Sequence, residues 1–346
     1  MKERSSGAAR PLYSKKLTLV ALAVGLCAAA FNAKADYSTH PKAHEFMLHM
    51  GEKHNFSYEK LKRVLAQVEK RQDIIDLMNR PAEGTMTWER YRKIFIKPGD
   101  SDKRVAQAVE LAEANWDALM RAEKEFGVPA HVISAVIAVE TRSGHYMGKH
   151  RVIDALATLA FDYPRRSTFF TKELEYFVNI AFDEGKDFFE PVGSYAGAMG
   201  YGQFMPSSYS AYAIDFDGDG KRDIWDNPVD AIGSIGFYLA KHGWRTGEPV
   251  STQDFIFEGS REALEALVSA RLKPNTTIGE LADQGLVEFS GLPRDAKARV
   301  FKLDDQIWLG YSNFYAWSRY NHSSLYVQAS YELSLILEGE FERLKK

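Results

Sequence analysis

The sequence predicts a mainly α protein with a small, partly β segment inserted late in the chain. Three observations carry this. From Pro41 to Gly185, apolar residues recur at helical spacing with short connections between runs. One of these helices, Pro129 to Gly144, is apolar on almost every side and reads as buried. Finally, R-V-F-K-L-D-D-Q-I-W-L-G-Y at 299–311 alternates as strands do, after a mixed stretch that starts near Glu248. With 346 residues, 45% of them hydrophobic, the chain can bury a sizeable core and build more than one lobe.

The N-terminus reads as a secretory signal peptide. Lys2, Arg4, Arg10, Lys15 and Lys16 precede the apolar run 17–31, and Ala33-Lys34-Ala35 is a small-x-small cleavage signature. The run is short for a membrane span. Cleavage near Ala35 predicts a periplasmic protein. The sole cysteine, Cys27, lies inside this leader, so the mature chain has no disulfide and rests on packing or a metal. The alternative is an outer-membrane lipoprotein attached through Cys27, although Leu26 stands where a lipobox wants a small residue. Removing residues 1–35 takes away six Lys/Arg and one Glu and moves the net charge from −3 to −8. That excludes a nucleic-acid binder of the basic-patch kind.

Residues 36–100 read as an N-terminal α lobe. Pro41–His54 is a short helix, Ser57 caps a second with Leu61, Val64, Leu65 and Val68, and Thr87 opens a third with Trp88, Tyr91 and Phe95 on one side. Residues 101–246 form the next unit. Ser101 caps a helix that runs through Trp116 and Leu119 to Gly127, and Ser167 caps one with Phe170, Leu174 and Phe177. Residues 247–310 are the β-containing insertion. Residues 311–346 return to the core, and a last helix, Tyr326–Leu344, rejoins the α lobe.

Candidate chemistry begins at Glu140. Its neighbours one turn back are Val136 and Ile137, so its carboxylate projects from an apolar face. Desolvation there predicts a raised pKa. A carboxylic acid that keeps its proton near neutral pH is what glycosidic bond cleavage requires. The structural alternative is a helix-end Glu paired with Arg142. Residues 193–208, G-S-Y-A-G-A-M-G-Y-G-Q-F-M-P-S-S, hold four glycines that let backbone approach a ligand, or serve only as a packing loop. The spacing is no phosphate fingerprint. Asp215, Asp217, Asp219 and Gly220 match positions 1, 3, 5 and 6 of an EF-hand Ca²⁺ loop. Lys221 would offer its carbonyl, and Asp226, at position 12, is one methylene shorter than the usual Glu. A solvated acidic turn is the alternative.

Taken together, V-E-T-R-S-G-H-Y-M-G-K, D-A-L-A-T-L-A-F-D-Y-P-R-R, G-A-M-G-Y-G-Q-F-M-P-S-S-Y, D-G-D-G, D-A-I-G-S and F-Y-x-x-x-R-Y-N-H-S resemble the lytic murein transglycosylase B family. The likeness spans about Trp88 to Tyr326. It implies a lysozyme-like core with an N-terminal α lobe and a small β-containing insertion. It also implies an enzyme that cuts peptidoglycan glycan strands and leaves 1,6-anhydro-muramoyl ends. By that resemblance Glu140 is the single catalytic acid and Ser194 orients it. Gln203, Tyr91, Tyr238, Tyr320, Asn321 and Tyr326 line the sugar cleft, and Arg165 and Arg166 face the peptide side. The Ca²⁺ ligands fall on Asp215, Asp217, Asp219 and Lys221, with Asp230 closing the site, and Asp226 as the other choice. No organic cofactor is implied. The expected state is a monomer, with cell-wall synthesis or remodelling proteins as possible partners. The alternatives are a lysozyme-like hydrolase, which needs a second carboxylate, and a non-catalytic peptidoglycan-binding protein.

Overall fold

In the computed structural model, residues 36–80, 86–96 and 100–344 are described. The expected leader, with Cys27 and the cleavage point, lies outside them. The mainly α class holds, and the strands concentrate between Ser251 and Tyr311.

The first helices are α1 (Pro41–His54), α2 (Tyr58–Leu65), α3 (Gln72–Met78) and α4 (Trp88–Phe95). Ser57 and Thr87 accept the N3 backbone N–H of α2 and α4, as their placement before apolar runs predicts. The single helix expected from Ser101 to Gly127 is two, α5 (Asp100–Ala114) and α6 (Trp116–Phe126). Asn115 breaks it with a non-helical backbone, and Ser101 lies inside the first turn. Gly127 closes α6 in the left-handed region.

The buried helix is α7 (Ala130–Thr141), shorter than its sequence suggests. Pro129 stands just before it, and the Glu123 carboxylate accepts the Ala130 N–H at 2.7 Å. At the other end Arg142, not Gly144, leaves the helix. Its N–H and that of Ser143 return to Ala138 and Ile137, the paired bonds of a Schellman stop. Residues 132–138 are all buried.

Next come β1 (His150–Arg151), α8 (Val152–Asp162), α9 (Ser167–Asp183) and β2 (Val192–Gly193), which pairs antiparallel with β1. Ser167 is the first residue of α9 rather than its cap, and its hydroxyl donates to the Ala160 carbonyl. After α10 (Pro206–Tyr212), α11 (Pro228–Lys241) starts on an Asn227 cap.

The insertion contains β3 (Ser251–Thr252), β4 (Phe255–Phe257), α12 (Arg261–Ala266), β5 (Thr276–Thr277), α13 (Ile278–Ala282), β6 (Leu286–Glu288), β7 (Lys297–Leu303) and β8 (Gln306–Tyr311). One sheet has the order β3-β8-β7-β5, and β4 pairs with β6. The alternation read at 299–311 is the β7–β8 hairpin. Ala298 and Val300 face a small core of the insertion, while Phe301, Leu303 and Trp308 join the main core. The chain ends in α14 (Ser312–Ser318) and α15 (Ser324–Leu344), the latter starting two residues earlier than expected.

Packing sets the site. Helix α7 is surrounded by α15, α5, α6 and α11. Burial of its Val and Ile side chains is worth roughly 1.5–3 kcal/mol each. The segment read as one N-terminal lobe packs in two places. Residues before α4 lie on α8 and α9, where Asp154 accepts the Glu69 N–H at 2.9 Å and Glu175 takes Lys53, His49 and His54. Helix α4 instead packs on α15. No helix among the described residues is long and apolar enough to cross a membrane.

Candidate active site

Glu140 occupies the last turn of α7 and is half-buried. The Tyr326 hydroxyl, from the first turn of α15, donates to its Oε1 at 2.6 Å. The packing of α15 along α7 is what brings these residues together. Tyr326 is itself buried. Burial first, and the nearby Glu140 charge second, hold its phenol well above the usual range, so it stays a hydrogen-bond donor.

Tyrosines continue the wall. Tyr320 precedes α15 and donates its hydroxyl to the Gly202 carbonyl. Burial and Glu140 raise its phenol as well. Its ring meets Tyr238 of α11 edge-on at 4.9 Å, and the Tyr238 hydroxyl donates to the Arg319 carbonyl at 2.6 Å. Tyr91 of α4 is buried and close enough to Tyr326 to act on it electrostatically.

The glycine-rich loop forms another side. Gln203 takes φ 49° and donates from Nε2 to the carbonyls of Met147, at 3.1 Å, and Gly200, at 3.0 Å. One amide thus ties the loop to the segment that follows Glu140. Gly202 is required there, because a Cβ would stand 2.7 Å from the Tyr320 hydroxyl. Ser194 accepts the N–H groups of Ala196 and Ala198 at 3.3 and 3.0 Å, which closes the loop on itself. Asn321 is exposed beside Tyr320. Among the described residues, Glu140 is the carboxylate whose charge acts on both Tyr320 and Tyr326.

Arg165 and Arg166 lie in the turn before α9, both exposed. Arg166 lies over the rings of Phe169 and Phe170, 4.4 and 5.1 Å from their centroids. Sequence reasoning missed Arg104 of α5. It is buried, donates to the Ala138 carbonyl at 2.6 Å, and rests on Phe95. Burial, then the charge of Arg142, lowers its pKa to about 10. A lone Arg in an amphipathic helix carries no signal for this role.

The acidic loop is a separate centre. Ligand atoms of Asp215, Asp217 and Asp219 all lie within 4.8 Å of one another. Asp215 accepts the N–H of Gly218, Asp219 and Gly220, and Gly218 and Gly220 have φ of 81° and 88°. The side chains are thus turned inward by the loop's own backbone, an arrangement whose three carboxylates suit a hard cation. Neither expected closing residue joins the three. Asp230 is buried beneath the loop and accepts the N–H of Phe216 and Asp223, while Asp226 is exposed. Asn227 reaches in instead, donating to Asp217 at 2.8 Å.

This fold and site have known relatives. Residues 38–335 match the family described as the transglycosylase SLT domain. The chain belongs to that family. It is 41% identical over 311 residues to the membrane-bound lytic murein transglycosylase B of Escherichia coli (strain K12), covering 86% of this chain and 83% of that one. Among solved structures, the soluble lytic transglycosylase SltB1 of Pseudomonas aeruginosa superposes with a TM-score of 0.81 at 42% identity. It covers 87% of this chain and all of that one. The Escherichia coli lytic transglycosylase Slt35, solved in complex with calcium, gives a TM-score of 0.76 at 41% identity, over 88% of this chain and 94% of that one. This SLT-domain chain therefore has the lysozyme-like, mainly α fold, and it is a lytic transglycosylase.

Proposed function

We propose that the substrate is the glycan strand of peptidoglycan, cut between N-acetylmuramic acid and N-acetylglucosamine with Glu140 as acid and then base. The observation that carries this is the setting of one carboxylate, Glu140, held by Tyr326 at 2.6 Å and acting on the buried phenols of Tyr326 and Tyr320. Two-carboxylate hydrolysis needs an acid on each side of the bond. With one, the substrate supplies the rest. Glu140 protonates the glycosidic oxygen as the C1–O bond breaks. The 2-acetamido carbonyl of the muramoyl residue stabilises the cationic C1. The Glu140 carboxylate then takes the proton of that sugar's 6-hydroxyl, and O6 bonds to C1. Glu140 regains its proton, no water is consumed, and the product is a 1,6-anhydro end.

In this reading Tyr326 orients the acid. Tyr91, Tyr238 and Tyr320 line the cleft with Asn321, Gln203 offers an amide to sugar hydroxyls, and Ser194 serves the acid as a second orienting group. Arg165 and Arg166 meet the peptide side. Ca²⁺ is held by Asp215, Asp217, Asp219 and the Lys221 carbonyl, and Asp230 braces the loop from below. Its role is structural, contributing folding energy away from the reacting bond. The protein acts as a monomer in the periplasm after cleavage near Ala35, or attached through Cys27, alongside other wall-remodelling proteins.

The test is mass spectrometry of fragments released from purified sacculi. Anhydro ends from the wild type and none from Glu140→Gln are expected. Reducing ends would show hydrolysis, and release by neither protein would point to a binding role.

A further inference from the structure

Three consecutive residues after α7 adopt left-handed backbone, Arg142, Ser143 and Gly144, at φ 52°, 59° and 87°. Only the last is glycine. Non-glycine residues in this region cost of order 1 kcal/mol or more each, and such strain gathers at ligand-binding places. The turn is held firmly. The Tyr146 N–H returns to the Thr141 carbonyl at 2.8 Å, and His145 bonds the Arg142 carbonyl through both its N–H and Nδ1.

The turn throws three side chains outward. Arg142 and His145 are exposed, and Tyr146 is 66% exposed, the most open aromatic ring among the described residues. With Gln107 of α5 they line a groove of about 420 Å³, within the range of ligand sites. The groove starts two residues past Glu140. The next carbonyl after Tyr146, that of Met147, is the one that holds Gln203. The groove residues thus lie on the stretch of chain that runs from the acid to the carbonyl holding the glycine-rich loop, with Gln107 added from α5.

Its chemistry differs from that of the tyrosine-lined cleft. It offers a guanidinium, an imidazole, an amide and an open ring, and no acid lines it. The positive charge there is felt by buried Arg104. The sugar hydroxyls of a glycan strand have no need of a cation, whereas the peptide stems on its muramoyl residues end in carboxylates, which a guanidinium pairs with directionally.

We propose that the groove lined by Gln107, Arg142, His145 and Tyr146 binds a carboxylate-bearing peptide stem of the substrate, with Arg142 on the carboxylate and Tyr146 packed against the peptide. This rests on the peptidoglycan reading above. It makes the groove a specificity determinant for stems with free acids, distinct from Arg165 and Arg166 before α9.

The experiment compares turnover of two synthetic glycan oligomers, one with free-acid stems and one whose stem carboxylates are amidated. The wild type is expected to show a KM about tenfold lower for the free-acid oligomer. Arg142→Gln brings the KM ratio to about one, Arg142→Lys keeps most of it, and Tyr146→Ala raises KM for both oligomers with little change in kcat. Equal KM values for the wild type, or a ratio that survives Arg142→Gln, overturns the groove. Retention by Arg142→Lys separates lost charge from a folding defect. A wild type that cleaves neither oligomer overturns the transglycosylase reading itself, a result distinct from equal cleavage of both.

Discussion

The Tyr326 hydroxyl donates to Glu140 Oε1 at 2.6 Å although the two residues lie 186 positions apart in sequence. A phenol held in its neutral form by burial thus fixes one oxygen of the acid. Tyr326→Phe removes this bond with little change in volume. Hydrogen bonds to charged groups are worth about 1.5–3 kcal/mol, so kcat should fall on the order of ten- to a hundredfold. Steady-state kinetics on soluble glycan fragments checks this. An unchanged kcat would remove Tyr326 from the positioning role.

Gly148 stands against the loop that carries Ser194. Its φ is 99°, and a Cβ there would lie 2.0 Å from the Gly193 carbonyl oxygen. Backbone cannot yield as a side chain does. Gly148→Ala should cost about 2 kcal/mol or more, through both the strained φ and the clash. Urea denaturation reads the stability, and a loss under about 0.5 kcal/mol, the usual size of a surface change, would contradict the packing described.

Glu175 on α9 anchors α1. Burial alone would raise its pKa, but hydrogen bonds from Lys53, His54 and His49 outweigh it and push the carboxyl from 4.5 to about 2. A depressed carboxylate contributes stability that is complete above its unfolded pKa and is lost as pH falls through the folded one. The Glu175 contribution should therefore disappear between about pH 4.5 and about 2. Glu175→Gln should be less stable than the wild type at neutral pH, and the difference should shrink across that window. Thermal melts at a series of pH values give the comparison, and a constant difference would rule out the linkage.

Calcium should stabilise the protein through the Asp215–Asp219 loop. A ligand bound only by the native state adds about 2.7 kcal/mol at a hundred times its Kd. Calcium added to metal-free protein should raise Tm, and Asp219→Ala should abolish the rise. A rise that persists in Asp219→Ala would place the ion elsewhere.

Much of this was legible in the chain. Helix α7, its apolar surroundings and the acid near its end follow from periodicity and composition. The acidic loop follows from alternation, since Gly218 and Gly220 sit where a left-handed backbone is needed. Ser57 and Thr87 sit at helix starts as read, because a short side-chain oxygen there accepts an otherwise unpaired N–H, whereas Ser101 and Ser167 fall inside the first turn of their helices rather than before it.

Other features were not legible, for physical reasons. Arg142 ends α7 although glycine is favoured there; the Thr141 hydroxyl beside it donates to the Tyr201 carbonyl at 3.1 Å, a contact 60 residues away that local preference cannot announce. The break at Asn115 has no glycine or proline to announce it. The split of the N-terminal helices between α9 and α15 depends on long-range contacts, and so does the guanidinium of Arg104 beneath the end of α7. The eight tyrosine, amide, serine and acid positions assigned to the cleft are scattered from Tyr91 to Tyr326, and only the family resemblance named them together.

The central claim is that one carboxylate performs both proton transfers and that no water enters the product. The most direct measurement is digestion of purified sacculi in heavy-oxygen water, followed by mass analysis of the muramoyl ends. The account predicts anhydro ends without label. Labelled reducing ends as the primary product would contradict it, because they would require a water-activating group opposite Glu140.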